Sequence, residues 1–335
     1  MRYVEAAGVR LSVVGLGAWQ FGSGEWGYGK AYASGTAPEI VDRSLDLGVN
    51  LIDTAEIYGF GRSERIVGQA IADRRAAAFV ATKLLPLAPF GPLVAWRARG
   101  SLGRLGVDVL DLYQLHGPNP AVPIRATMAA LAGLQRDGLV RHVGVSNFSL
   151  DRWTAAERAL LGPVVTNQVR YSLIERGPER DLLPWAQEHD RIVIAYSPLG
   201  QGLLSGRYDE DHPPRGLRAS TAAFLPENLR RAAPLLGTLR EVAAGHGVTS
   251  AQVALAWLVR RPNVVVIPGA SSAAQAESNA QAAEIDLTDG EDAALTGASD
   301  AYRPLRGVAA ASQGVRVRAH RASVRVRRAA EGLRS

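Results

Sequence analysis

No cysteine occurs anywhere in the 335 residues, which excludes disulfides, thiolate nucleophiles and zinc-thiolate sites. With no basic-then-apolar leader either, the expectation is a cytoplasmic protein. No apolar run approaches the ~18 residues of a membrane span, so no membrane partner is expected. Lysine is almost as scarce: of 38 basic residues only Lys30 and Lys83 are lysine, and all the others are arginine. A chain that uses arginine for generic positive charge and keeps a lysine at a strand end points to a task needing a compact ammonium with a shiftable pKa.

A basic stripe is also missing. The formal net charge is +6, but residues 300–335 hold nine arginines against Asp300 and Glu331, a net +7 that leaves the body near −1. That distribution argues against a nucleic-acid reader and for a small-molecule partner. The tail has charge without core-forming residues, so it is expected to be a solvated extension, disordered in part. We read residues 1–299 as one domain and 300–335 as the extension; nothing fixes an oligomeric state or identifies a metal site.

What is present is a repeat of strand and helix. A strand pair turning at Ala7-Gly8 is followed by an apolar strand, Leu11 to Gly17, that runs into a glycine-rich loop, Trp19 to Gly35, and a helix over 38–47. Strands then fall at 49–53, 78–83, 109–115, 142–146, 164–168, 191–196 and 264–267, with helices between them and a long irregular insertion from 197 to 225. Near-continuous apolar strands imply cover on both faces, and eight such units in ~280 residues fit a (β/α)8 TIM barrel with an N-terminal β-hairpin and extra helices. A doubly wound dinucleotide fold is the alternative. Its fingerprint fails, because Gln20 stands where the third glycine should follow Gly15 and Gly17.

The strands end on polar residues: Asp53, Lys83, His116, Ser146-Asn147, Gln168 and Tyr196-Ser197. Polar groups at a barrel mouth cost free energy unless they satisfy one another or a ligand, so a purely structural protein would hardly repeat the pattern on consecutive strands. Asp53, Lys83 and Tyr58 supply the parts of a proton-transfer device. A phenol of pKa ~10 is too weak an acid near neutrality, an ammonium beside it favours the phenolate, and a carboxylate fixes the ammonium. His116, neutral, would orient a substrate carbonyl by donating a hydrogen bond.

Taken with Gly15-Leu-Gly17-Ala-Trp-Gln-Phe-Gly22, Asp53-Thr-Ala-Glu-Ile-Tyr58-Gly, Ala81-Thr-Lys83, Asp111-Leu-Tyr-Gln-Leu-His116, Gly144-Val-Ser-Asn147-Phe, Asn167-Gln168, Tyr196-Ser-Pro-Leu-Gly and Ile267-Pro-Gly-Ala270, the chain resembles the aldo-keto reductases over about residues 10–285. The resemblance implies a barrel binding a nicotinamide cofactor at its C-terminal mouth and reducing an aldehyde or ketone. The family's tetrad falls on Asp53, Tyr58, Lys83 and His116, with Tyr58 as proton donor. Its carboxamide ligands fall on Ser146, Asn147 and Gln168; Tyr196 would stack on the nicotinamide, Ser197 and Leu199 would touch the pyrophosphate, and Gly269, Ser271, Gln275 and Asn279 would hold the adenosine end. NADPH is the expected cofactor, with NADH binding more weakly because 271–279 has no basic residue. Trp19, Trp26, Tyr28 and Phe60 are candidate linings of an apolar substrate pocket, and a pyridoxal-like aldehyde is one candidate substrate.

The alternative function is a cofactor-binding regulatory subunit of the channel β type, which shares barrel and tetrad. A short-chain dehydrogenase is excluded, since Tyr-x-x-x-Lys is absent: Trp26 precedes Lys30 and Phe79 precedes Lys83 at that spacing. Truncation after Gly307 should leave the barrel folded, with one cooperative melt; loss of that melt would show that the tail packs.

Overall fold

A computed structural model describes residues 1–22, 32–214 and 216–308. The strands are β1 (Tyr3–Ala6), β2 (Val9–Ser12), β3 (Leu16–Gly17), β4 (Leu51–Asp53), β5 (Phe79–Leu84), β6 (Leu110–Leu115), β7 (Val140–Ser146), β8 (Val164–Arg170), β9 (Ile192–Tyr196) and β10 (Val264–Val266). The α-helices are α1 (Trp19–Gly22), α2 (Ala37–Asp46), α3 (Arg62–Ala70), α4 (Gly91–Leu105), α5 (Ile124–Arg136), α6 (Leu150–Leu160), α7 (Leu182–Glu188), α8 (Pro226–His246), α9 (Ser250–Val259), α10 (Ala273–Gln281) and α11 (Asp289–Ala301). Two compact units result, Met1–Pro198 with Ala251–Leu287, and Leu199–Ser250 with Thr288–Ser335.

In the first unit β3 to β10 form one 8-stranded parallel sheet in sequential order. The order is what short right-handed βαβ crossovers produce. A parallel bridge between Val14 and Val266 joins the two ends, and Gly15 N and Gly17 N donate to Val266 O at 2.7 Å and Pro268 O at 3.0 Å. The sheet therefore has no free edge, and the expected (β/α)8 barrel is what forms. The first barrel strand is shorter than expected. The 11–17 run splits because its start, through Ser12, pairs with β1 in the hairpin, leaving only Leu16–Gly17 for the barrel. Ala7 and Gly8 turn that hairpin with φ of 51° and 74°, and Ala6, Val9 and Leu11 share one buried core cluster with Leu51, Leu112, Ile192 and Val265. Of these partners Leu51 and Ile192 open their strands, so the hairpin covers the N-terminal end of the barrel and leaves the other end to the loops.

Helix limits follow local chemistry. In α2 the buried residues Ala37, Ile40, Val41, Ser44 and Leu45 recur at helical spacing, a proline sits in the first turn, and Gly48 at φ 79° turns the chain into β4. The helix expected over 178–189 divides into a 3-10 turn, Gly177–Arg180, and α7. One helix goes beyond the expectation entirely. In the second unit α11 opens on a capping box, Glu291 N donating to Thr288 Oγ1 at 3.2 Å and Thr288 N to Glu291 Oε2 at 2.8 Å. The Thr-x-x-Glu spacing ahead of Ala293-Ala-Leu295 is legible in the sequence, and the proposed 299/300 boundary falls inside this helix. The arginine tail beyond residue 308, with Lys30, Trp26 and Tyr28, lies outside the described residues.

Barrel closure leaves no room for a side chain at position 17, where a Cβ would lie 2.7 Å from Ile267 O. Gly17→Ala should therefore cost roughly 1–3 kcal/mol, read as a lower urea midpoint at unchanged slope.

Candidate active site

Asp53 closes β4 and Lys83 lies one residue before the end of β5, on neighbouring strands. Asp53 pairs in register with Ala81, so Lys83 stands two residues beyond it and reaches back along the barrel interior. Its Nζ donates to Asp53 Oδ2 at 2.5 Å, Thr54 O at 2.8 Å and Tyr58 Oη at 3.4 Å. The ammonium is fully buried, and three acceptors match its three donors. The Asp53 carboxylate is satisfied in turn: its Oδ1 accepts from Gln168 Nε2 at 2.7 Å and Gln114 Nε2 at 3.3 Å. Leaving either partner of such a pair alone in the interior typically costs about 3–5 kcal/mol, so this cluster is held as a unit.

Electrostatics sort the groups. Burial by itself lowers the Lys83 pKa, but Asp53 and then Tyr58 hold it above the ordinary value, so it stays an ammonium. Burial also raises the Tyr58 phenol, which Lys83 lowers and Asp53 raises further; the net shift is upward. This corrects the expectation that the ammonium would bring the phenol's pKa down: a nearly enclosed ring loses more hydration than one contact at 3.4 Å returns. The outcome is a protonated phenol beside a cation, which suits a proton donor. His116 packs edge-on to the Tyr58 ring at 5.8 Å, and burial, with Lys83 adding to it, lowers its imidazole to about 4. It is neutral near pH 7, as expected. Its Nδ1 is buried with no hydrogen-bond partner among the described residues, an orphan of the kind a ligand satisfies.

The residues assigned to the nicotinamide carboxamide stand on adjacent strands, with Ser146 in register with Gln168. Here they satisfy one another. Ser146 Oγ donates to Gln168 O at 2.8 Å, Asn147 Nδ2 to Ser146 Oγ at 3.1 Å, and Tyr196 Oη to Asn147 Oδ1 at 2.9 Å. Asn147 and Ser197 both sit in left-handed backbone, at φ 59° and 52°, where the chain turns out of its strand. Gln168 spends its Nε2 on Asp53, which leaves Oε1 to accept from an amide. At the adenosine end Ser272 caps α10, Ser271 N and Oγ donate to Gln275 Oε1 at 2.8 and 2.7 Å, and Asn279 Nδ2 donates to Gly269 O at 3.2 Å. A Cβ at Gly269 would meet Gln20 Oε1 at 2.0 Å, so a larger residue there would displace the end of the Gln20 side chain. Glu277 of α10 pairs with Arg43 of α2 at 2.9 Å. Leu199 opens the second unit.

Of the candidate pocket linings, Trp26 and Tyr28 lie outside the described residues, and Phe60 is 93% exposed, so it encloses nothing. Gln114 is the buried residue that sequence reasoning passed over. Lys83 and Gly144 flank it in register, and glycine at 144 is required because a Cβ there would meet Thr166 Oγ1 at 2.2 Å and Gln114 Cγ at 2.9 Å. The signal was available: an amide between Tyr113 and Leu115 in a strand that is buried along its whole length.

The Aldo/keto reductase family model matches residues 13–300. The chain belongs to the aldo/keto reductase family. An uncharacterised oxidoreductase of Mycobacterium tuberculosis is 50% identical over 306 residues, covering 91% of this chain and 95% of that protein. An NADH-specific methylglyoxal reductase of Escherichia coli is 31% identical, covering 84% and 93%. Among solved structures, an aldo/keto reductase from Klebsiella pneumoniae in complex with NADP and acetate superposes with a TM-score of 0.71 at 31% identity, covering 91% and 96%. An aldo/keto reductase is an NAD(P)H-dependent oxidoreductase, and this chain is one. Among the described residues no single helix is long and apolar enough to cross a membrane.

The His116 environment has a measurable consequence. The unfolded chain takes up a proton near pH 6.5 and the folded imidazole only near 4, so the unfolded state binds more protons in between and stability falls as pH drops through that window. NMR titration should place the His116 midpoint near 4, and in His116→Asn this part of the pH slope of the urea midpoint should vanish.

Proposed function

We propose that the protein reduces the carbonyl of an aldehyde or ketone to the alcohol with NADPH, Tyr58 delivering the proton. The observation that carries this reading is the unbroken line from the Asp53 carboxylate through the Lys83 ammonium to the Tyr58 hydroxyl, enclosed at the end of β4 and β5. A bound nicotinamide supplies two electrons as hydride to the carbonyl carbon. The chain's own residues do the rest. Tyr58 Oη gives its proton to the carbonyl oxygen, and the phenolate left behind is stabilised by Lys83, which is already charged and in place, so the step needs no reorganisation. His116, neutral and edge-on to Tyr58, donates to the same oxygen and sets its direction. Ser146 and Asn147, by exchanging bonds they now make to one another, and Gln168, through its unspent Oε1, would hold the nicotinamide carboxamide, with Tyr196 against the ring; fixing one face in this way would supply orientation.

Gly269, Ser271, Gln275 and Asn279 would hold the adenosine end, with Ser197 at the pyrophosphate. No lysine or arginine lies in 271–279, and Arg43 is engaged by Glu277. A charge-assisted hydrogen bond is worth roughly 1.5–3 kcal/mol, or about one to two decades of affinity, so its absence shrinks the preference for NADPH without abolishing it. Small aldehydes make up the substrate class, and methylglyoxal, named for the Escherichia coli relative, joins a pyridoxal-like aldehyde at the head of a test panel. The partner is a small carbonyl compound, and the site of action is the cytoplasm.

The test is loss of NADPH absorbance with that panel. Turnover separates a reductase from a regulatory subunit with the same tetrad. Tyr58→Phe should lower kcat by orders of magnitude with NADPH affinity nearly intact, and Lys83→Arg should also fail, since a planar fork cannot replace a compact ammonium. A Phe variant keeping more than about a tenth of the rate would mean another donor. Fluorescence titration should show NADPH bound about tenfold to a hundredfold tighter than NADH, and tighter still in Ser271→Arg. A preference beyond about a thousandfold would show that an arginine from elsewhere reaches the phosphate.

A further inference from the structure

Tyr58 is carried on a loop, whereas Lys83 belongs to a strand, so something must fix one against the other. The loop's ends are tied to the barrel: Thr54 N donates to Ala81 O at 2.8 Å, and Thr54 Oγ1 meets Ser63 Oγ at 2.8 Å. One side of its tip is clamped by glycines, since a Cβ on Gly22 would lie 2.4 Å from the Tyr58 carbonyl carbon and one on Gly59 would lie 2.7 Å from Gly22 O. The other side rests on Glu56. Its Oε1 accepts from Leu85 N at 2.6 Å and from Arg97 Nη2, and its Oε2 accepts from Arg97 Nε at 3.1 Å. Arg97, on α4, also donates from Nη1 to Leu87 O at 2.9 Å. The two side chains are only 13% and 10% exposed, so this is a largely desolvated pair rather than a surface contact.

Two features give the pair more than a structural meaning. Glu56 lies two residues before Tyr58, and Leu85 two after Lys83, so one carboxylate joins the segments that carry the donor and the ammonium. The contact it governs, Lys83 Nζ to Tyr58 Oη, is already at 3.4 Å, the outer limit of a hydrogen bond, and a small outward shift of the loop breaks it.

We propose that Glu56, held by Arg97, is a positioning residue for the reduction: it joins the Tyr58 loop to the segment following Lys83 and thereby sets the distance over which Lys83 acts on the Tyr58 hydroxyl. The inference rests on the reductase reading. Glu56 touches neither Lys83 nor Tyr58 through its carboxylate; it acts through backbone placement. A displacement near 1 Å at a reacting group can cost about a hundredfold in rate, so a bond remote from the chemistry has this leverage.

The experiment compares wild type, Glu56→Gln and Arg97→Met. Glu56→Gln keeps an acceptor for Leu85 N but faces Arg97 with an amide; Arg97→Met keeps the aliphatic stem and removes the fork. With the aldehyde that wild type turns over, each folded variant should lose about tenfold to a hundredfold in kcat. KM and the NADPH dissociation constant should stay within about threefold, because none of the residues assigned to either ligand hydrogen-bonds to the pair. Amide exchange in the cofactor-free protein should quicken across residues 57–60. Folded variants with wild-type kcat would overturn the proposal and leave a tie that serves stability alone; should Arg97→Met not fold, Glu56→Gln decides by itself. If wild type reduces no carbonyl, the functional reading fails instead, and exchange at 57–60 still decides the tie, unchanged rates overturning it.

Discussion

A fully buried ammonium is the constraint on which the rest of this structure depends. Lys83 has left water completely, and the cost of that transfer is offset only if every donor finds an acceptor and a counter-charge lies against it. Asp53, Thr54 O and Tyr58 Oη meet the demand, and each imposes a further one. Asp53 needs donors on its second oxygen and takes them from Gln114 and Gln168 on strands farther around the barrel. Gln114 needs space, which the missing side chain at Gly144 provides. The polar interior is thus one connected system running from β4 to β8. A partly satisfied network of this kind would be worse than an apolar core.

The barrel makes such a network possible because parallel strands in register present successive residues at equal heights. Asp53 opposite Ala81, Lys83 opposite Gln114 and Ser146 opposite Gln168 leave little freedom in where the functional groups stand. Loops then add what strands cannot. Tyr58 comes from a loop flanked by glycine contacts and by the Glu56–Arg97 pair, and the 3.4 Å it keeps from Lys83 is the longest of the three contacts the ammonium makes. The hairpin closes the opposite end of the barrel with apolar side chains, so chemistry and stability occupy different ends.

Burial decides the protonation states as much as charge does. The imidazole of His116 is driven down by desolvation with Lys83 in support, whereas in Tyr58 desolvation and Lys83 oppose one another and desolvation prevails. The same cation therefore helps to keep one neighbour neutral and fails to ionise the other. Both outcomes suit the proton transfer proposed for this site.

Amino-acid order by itself determined the alternation of strand and helix, the polar residues at the ends of six strands, the four residues proposed as the tetrad, and the family, because hydrophobic period and local motifs are written in contiguous residues. It also carried the capping box of α11, a local signal as plain as any that was read. Only the tertiary structure decided what depends on distant segments meeting: the Val14–Val266 closure, the amides of Gln114 and Gln168 on one carboxylate, Arg43 against Glu277 and Glu56 against Leu85 and Arg97. It decided the Tyr58 pKa direction too. Desolvation is a property of everything packed around a group, and no spacing along the chain records it.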